Sequence, residues 1–372
     1  MTYVVGFRVG DACFLVADSA VTTSPLITEP AVAAEFSAFN ERFVIEQRRA
    51  VREGALKIYN LGSAALSGAG DRMLIEEVAT KYERFLNSGA QAEDAFRNAV
   101  NSMTPLADRA ALQVVTIFRE QEGGAAKLMS FNIDLDENIR DHGADVVHLG
   151  SIDNSHKVLT QSLVELLRAK ELNAQQVCAL SVGACQSYGI RAVLMEMGVG
   201  GAFYGAYTAD NVIKWNSDLS YLVYDGTQPE NGPGGRAVYT YFRGNTLVSI
   251  SSFPQTDSSD GKFHLRVTAR SNQTTDAEAK IAMEEAIRDV FERIPDYFIF
   301  LDQSAPRAVV AEVLGQPDHQ NIRVQQLNLE KGIRVIAYRG PLRAAMFDKQ
   351  IPEGASLFYF ERNTGELGGA SE

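Results

Sequence analysis

The sequence predicts an α+β protein: a sandwich in which helix layers cover two antiparallel sheets, followed by a smaller α+β domain. Three observations carry this. Strand-like and helix-like segments of the first half follow the order ββ, ββ, αα, βββ, αα, β. Residues 225–235, Asp-Gly-Thr-Gln-Pro-Glu-Asn-Gly-Pro-Gly-Gly, concentrate turn formers and mark a boundary. The length of 372 residues suits two or three domains at roughly 150 residues each. The expected division is a first domain over 1–225, a linker over 226–235 and a second domain over 236–372.

Each element has a local reason. Residues 3–9 and 12–17 are rich in β-formers, and Gly10-Asp11 reads as Asp11 after a turn glycine, the mark of a hairpin. Residues 24–54 contain Pro25 and Pro30 and then a Glu/Arg-rich stretch, which suggests a loop leading into a helix around 43–52. Residues 55–59 and 64–67 form a second expected hairpin, turned at Asn60-Leu61-Gly62. Leu74, Ile75, Val78, Tyr82, Phe85 and Leu86 have helical spacing over 71–86, with Asp71 as N-cap. A second helix is expected over 92–100. Strands follow at 112–118, 127–133 and 146–149, then helices at 157–169 and 174–186, the latter capped by Asn173. A strand at 191–197 closes the first half. Beyond the linker, strands are expected at 237–242, 247–251 and 263–269. A helix carrying Ile281, Ala286, Ile287, Val290 and Phe291 comes next, then strands at 297–301, 322–327, 333–338 and 357–360.

Composition narrows the function classes. With 45% hydrophobic and 22% charged residues the chain has the make-up of a globular protein, not a disordered one. A net charge of −12 without a basic block argues against nucleic acid as a partner. No apolar run approaches the roughly 18 residues of a membrane span. Cys13, Cys178 and Cys185 suggest neither a disulfide framework nor a zinc site, and His142, His148 and His156 lack ligand spacing. The opening has no signal-peptide features. The expectation is a cytoplasmic protein without metal or cofactor.

The residues that can carry chemistry begin with Thr2. Removal of Met1 would leave Thr2 with a free α-amine, whose ordinary pKa of about 7.7–8.0 suits a general base. A threonine hydroxyl beside its own amine is an activated nucleophile, although many chains begin Met-Thr without consequence. Asp18 ends the returning strand of the first hairpin, which places it beside the start of that hairpin; alone it also reads as a strand-end turn residue. Lys57 interrupts the apolar run Ala55-Leu56-Lys57-Ile58-Tyr59 and is either a solvent-facing edge lysine or a buried one paired with Asp18. Ser67-Gly68-Ala69-Gly70-Asp71 is a glycine turn into a helix, able to offer N–H groups to an oxyanion or merely to start the helix. Ser151, after His148-Leu149-Gly150, can donate to the amine or cap a helix. The glycines at 198, 200, 201 and 205 superficially resemble a dinucleotide turn, but no convincing helix or ribose-binding acid follows.

Taken in order, Thr2, Asp18-Ser19, Lys57, Gly68 and Gly150-Ser151 resemble the proteasome β-type subunits. The opening Met1-Thr2-Tyr3-Val4-Val5-Gly6 is most similar to the bacterial ancestral β-subunit type. The resemblance covers about residues 2–225. It implies a four-layer αββα N-terminal-nucleophile hydrolase sandwich acting on a peptide or related amide without a cofactor. It further implies Thr2 as nucleophile and base, Asp18 and Lys57 as activating pair, Gly68 as oxyanion donor and Ser151 as orienting residue. Self-assembly into a homo-oligomeric ring or helical array is implied as well. Three features depart from the family pattern. Asp18 and Lys57 are 39 positions apart, more than twice the usual spacing. Ile152 stands where a glycine is usual. The stretch Ala184-Cys185-Gln186-Ser187-Tyr188-Gly189 lacks the family's acid, leaving Ser187 as a partial substitute. These departures keep two other readings open: a catalytically silent oligomeric scaffold with its function in the second domain, and an amidase for small substrates.

Overall fold

The computed structural model describes residues 2–23, 37–39, 44–46, 49–103, 112–120, 124–132, 139–152, 154–192, 194, 198–224, 236–254, 263–293, 295–302, 307–314, 321–328, 332–339, 357–360 and 367–370. Strands β1 (Tyr3–Val9) and β2 (Ala12–Asp18) form the first hairpin, with Val4 opposite Ala17 and Val9 opposite Ala12. The chain turns at Gly10, whose φ of 57° is a left-handed conformation natural to glycine.

Next come β3 (Ala20–Thr23), β4 (Val44–Glu46) and β5 (Arg49–Glu53), a small sheet of order β3-β5-β4. The helix expected around 43–52 is therefore corrected to strand wherever that stretch is described. Its β-branched residues Val44 and Val51 stand opposite each other, and pairing with β3 supplies a tertiary ladder that helix propensity could not anticipate.

Strands β6 (Ile58–Asn60) and β7 (Ala64–Gly70) form the second hairpin, and Asp71 then caps helix α1 (Arg72–Asn87) by accepting the Met73 N–H at 2.8 Å. Helix α2 (Ala92–Asn101) follows, then β8 (Leu112–Arg119), β9 (Ala126–Asn132), β10 (Arg140–Asp141) and β11 (Val147–Gly150). Helices α3 (Asn154–Arg168) and α4 (Ala174–Arg191) come next. Arg191 ends α4, which corrects the start of the strand expected at 191–197; residues 193 and 195–197 lie outside the described residues. The helix outruns its expected end because it is buried along most of its length, with Val177, Cys178, Leu180, Val182 and Cys185 all in the core.

Strands β12 (Phe203–Ala209), β13 (Val212–Trp215) and β14 (Leu219–Tyr224) were not among the expected elements. In β12 a glycine interrupts the strand pattern, whereas β13 and β14 are only four and six residues long. Gly205 sits where a Cβ would come within 2.9 Å of Cys178 Sγ and 3.1 Å of the Leu15 carbonyl oxygen.

Two five-stranded antiparallel sheets result, of order β11-β1-β2-β12-β13 and β10-β9-β8-β7-β6. They face each other closely: a Cβ at Gly6 of β1 would meet Leu128 of β9 at 2.9 Å and Val115 of β8 at 3.3 Å. Helices α1 and α2 lie on the far side of the second sheet, burying Ile75, Val78, Tyr82 and Phe96 against Leu66, Val114 and Phe118. Helices α3 and α4 lie on the first sheet, burying Leu163, Val164 and Leu180 against its strands.

The second half contributes β15 (Arg236–Arg243), β16 (Thr246–Pro254), β17 (Phe263–Arg270), α5 (Asp276–Glu292), β18 (Tyr297–Asp302), β19 (Arg307–Leu314), β20 (Asn321–Asn328) and β21 (Gly332–Arg339). With β14 these form an eight-stranded sheet of order β17-β16-β15-β14-β18-β19-β20-β21, in which only the β14–β18 pair is parallel. A separate hairpin pairs β22 (Leu357–Phe360) with β23 (Leu367–Ala370). The large sheet begins before residues 226–235, which themselves lie outside the described residues. Its Tyr221, Val238, Tyr297 and Ile299 share one core with α4 and the first sheet. Among the described residues, no helix is long and apolar enough to cross a membrane.

Candidate active site

Thr2 directly precedes β1, and its peptide bond to Tyr3 is held from both sides. The Thr2 carbonyl accepts the Ser151 backbone N–H at 3.1 Å, while the Tyr3 N–H donates to Asp18 Oδ1 at 2.9 Å. A peptide unit is planar, so fixing both its polar ends fixes the plane that carries the Thr2 Cα. Gly150 makes the first contact possible: its φ is 92°, and a Cβ there would lie 1.7 Å from the Thr2 oxygen. The Gln113 side chain holds the Gly150 N–H at 3.4 Å from β8.

Asp18 is fully buried at the end of β2 and accepts four hydrogen bonds. Oδ1 takes Tyr3 N–H and, at 2.5 Å, Lys57 Nζ; Oδ2 takes Ala20 N–H at 3.1 Å and Gly200 N–H at 3.0 Å. That fills the roughly four acceptor positions of a carboxylate, so its burial leaves no acceptor unsatisfied. Lys57 lies one residue before β6 and is 8% exposed. Burial pulls its ammonium below the ordinary lysine range, and the Asp18 charge opposes that shift. Its backbone is fixed as well: the N–H donates to the Tyr204 hydroxyl, and the carbonyl accepts Ser67 Oγ at 2.7 Å.

Gly68 follows Ser67 in β7. There β6 has ended, with Ile58 opposite Ser67, so beyond that point β7 is paired along its β8 side alone among the described strands. A Cβ at Gly68 would meet the Gln113 carbonyl oxygen at 2.8 Å. The structure thus brings Thr2, Asp18, Lys57, Gly68 and Ser151 to one end of the facing sheets, with Ser151 engaged through its backbone. Ser187 is buried on α4. Its turn of helix connects to the site through Tyr188, whose ring meets His156 edge-on at 4.5 Å; His156 in turn meets the Tyr3 ring at 4.4 Å.

Several members of the site were not assigned to it from the sequence. Gly200 and Gly201 are the glycines that resembled a nucleotide turn; the first binds Asp18, and the second has a φ of 72° against Glu53 and Ser19. Glu53, Gln113 and Tyr204 gave no signal, because each acts through a partner remote in sequence. Among the described residues no cluster of three or more His, Cys, Asp or Glu could hold a metal. Burial pushes the Cys185 thiol up to about 12, away from thiolate chemistry. No protein-family model matches the chain, and no curated protein matches it.

Proposed function

We propose that the chain is a proteasome-like N-terminal threonine hydrolase that cleaves peptide or related amide bonds. The observation that carries this reading is the buried Lys57–Asp18 pair bound directly to the Thr2–Tyr3 peptide. The order of helix pair, sheet, sheet and helix pair supports assigning the first half to the αββα N-terminal-nucleophile sandwich.

In this mechanism, Met1 is removed and the Thr2 α-amine takes the hydroxyl proton as the hydroxyl oxygen attacks the amide carbonyl. The amine proton passes to the leaving nitrogen as the C–N bond breaks, and water then hydrolyses the acyl ester. Lys57 supplies positive charge beside the nucleophile. An ammonium has three N–H donors, and the ion pair with Asp18 occupies one. The edge of β7 from Gly68 onward, unpaired by β6, offers backbone donors for the oxyanion. Assembly into a homo-oligomer belongs to the same proposal.

The test is intact and N-terminal mass analysis combined with an electrophilic, threonine-directed probe. The expected result is loss of Met1 and one adduct on Thr2, and retained Met1 would sink the hydrolase. Lys57→Ala is expected to abolish labelling; labelling like that of the wild type would show that another group activates Thr2. Processed but unlabelled protein would favour a silent scaffold.

A second reading, an amidase for small substrates, is favoured by the β3-β5-β4 sheet. It leaves the chain at Ser19, directly after Asp18, and returns at Gly54, where Gly54 and Ala55 N–H both donate to the Ser19 carbonyl at 2.9 and 3.2 Å. In this reading the insertion, rooted this close to the site, narrows its entrance. Turnover of single-residue amides but not of longer peptides would select this reading.

A further inference from the structure

The segment carrying Lys57 is gripped by the second half of the chain. Glu53, four residues before Lys57, pairs with Arg270 at the end of β17; the two groups are 3.1 Å apart with side chains 2% and 6% exposed. The same carboxylate accepts Ala38 N–H at 2.7 Å, Ser19 Oγ–H at 3.1 Å and Ala202 N–H at 3.0 Å. Ser19 and Ala202 flank the two places, Asp18 itself and Gly200, where the site carboxylate is held. Glu53 therefore ties together the chain segments that build the Asp18 pocket.

Past Arg270 the same turn continues onto β6. Asn272 Nδ2 donates to the Ile58 carbonyl at 3.1 Å and the Leu56 carbonyl at 3.5 Å, the residues on either side of Lys57. Gln273 then brackets Asn60, accepting its N–H at 3.3 Å and donating to its carbonyl at 3.0 Å. Arg270, Asn272 and Gln273 thus hold residues 53, 56, 58 and 60 from outside, while Tyr204 and Ser67 hold Lys57 from within. A lysine has a long flexible stem, so its charge is placed only as well as its backbone is fixed. The excess length of this chain over its first-half sandwich acquires a role here.

We propose that the 270–273 turn is a positioning element for Lys57, which makes the second half part of the site instead of an appended module. This rests on the reading of Lys57–Asp18 as the pair that activates Thr2. None of the three residues touches Thr2; they act through the strand.

The test uses the full chain. Arg270→Met would leave Glu53 buried without its cation and could unfold that corner, so Asn272→Ala and Arg270→Lys are compared with the wild type. Three readouts are taken: hydrogen exchange of the amides over 54–60, the acetylation rate of Lys57, and the rate of Thr2 labelling as a function of pH. For Asn272→Ala, faster exchange over 54–60 is expected with exchange in α1 unchanged, together with faster acetylation of Lys57. Labelling of Thr2 is expected to slow on the order of 10- to 100-fold, as a displaced catalytic group does, with a shifted pH profile. Arg270→Lys, which keeps the charge, is expected to fall between. Unchanged exchange over 54–60 would overturn the clamp. Faster exchange with an unaltered labelling rate and pH profile would overturn the positioning role. A wild type that is never labelled would overturn the hydrolase reading and the catalytic consequence with it, while exchange and acetylation still decide the clamp.

Discussion

At Gly150 a Cβ would lie 1.7 Å from the Thr2 carbonyl oxygen, whereas at Gly10 nothing lies within 4 Å, although both have positive φ. The two glycines separate backbone strain from steric conflict. Gly10→Ala is expected to cost about 1 kcal/mol, the penalty of a left-handed residue. Gly150→Ala adds a clash, for which overpacking figures of about 1–3 kcal/mol are a lower guide, and it displaces Thr2. Urea midpoints of the two variants check this; equal losses would mean that the Thr2–Ser151 contact is soft. His148 makes a second prediction at this scale. Burial, aided by Lys157, depresses its imidazole from 6.5 to about 4, and its Nδ1 stands 3.4 Å from the Tyr3 hydroxyl. Between these values the unfolded chain binds a proton that the fold does not, so stability rises with pH there and is lost on acidification from about 6.5 to about 4. His148→Gln should flatten that slope in pH-dependent unfolding, and an unchanged slope would assign the titration to another group. Asp18 was legible at this scale because hairpin geometry alone puts position 18 beside position 2. Glu53 was not, since its partners Arg270 and Ala202 lie far along the chain.

Among the elements, α4 shows how a correct start and a wrong end arise together. Its start is local: Asn173 accepts the Gln176 N–H at 2.9 Å, and Gln176 Oε1 accepts the Asn173 N–H at 3.0 Å, a reciprocal cap. Asn173→Ala is expected to cost about 1 kcal/mol in denaturant unfolding, within the range for lost caps. A negligible loss would show that packing alone holds the helix start. The end of α4 is set by burial against strands on two sides, which erases the polar face that periodicity reads. Helix α1 has a solvent side, with Arg72, Met73 and Glu83 exposed, and its span was read within a residue at each end. The β4–β5 hairpin failed for the opposite reason: charged residues suggested a helix, but strand pairing with β3 decided it.

For the molecule as a whole, the division into halves by composition does not divide the core. Tyr221, Val223, Val238, Leu247, Tyr297 and Leu301 belong to one apolar cluster with Val5, Leu15 and Leu180. Trp215 of the first sheet stacks on Phe242 of the large sheet, with ring centroids 4.3 Å apart and planes at 3°. With its apolar contacts shared in this way, the chain is expected to unfold in one calorimetric transition in which probes of both halves coincide. Two separated transitions would show that the halves are energetically independent, and would weaken any role for the second half at the site.

Local signals were enough to read the hairpins with turn glycines, the amphipathic helices with caps, and the candidates Thr2, Asp18 and Lys57. Tertiary structure alone decided the β12–β14 strands, the small β3-β5-β4 sheet and the grip of Arg270, Asn272 and Gln273 on the Lys57 strand. The physical reason is range. Turns, caps and periodicity are written within a few residues, whereas a buried carboxylate or a backbone clamp is satisfied by whichever distant donors the completed fold delivers.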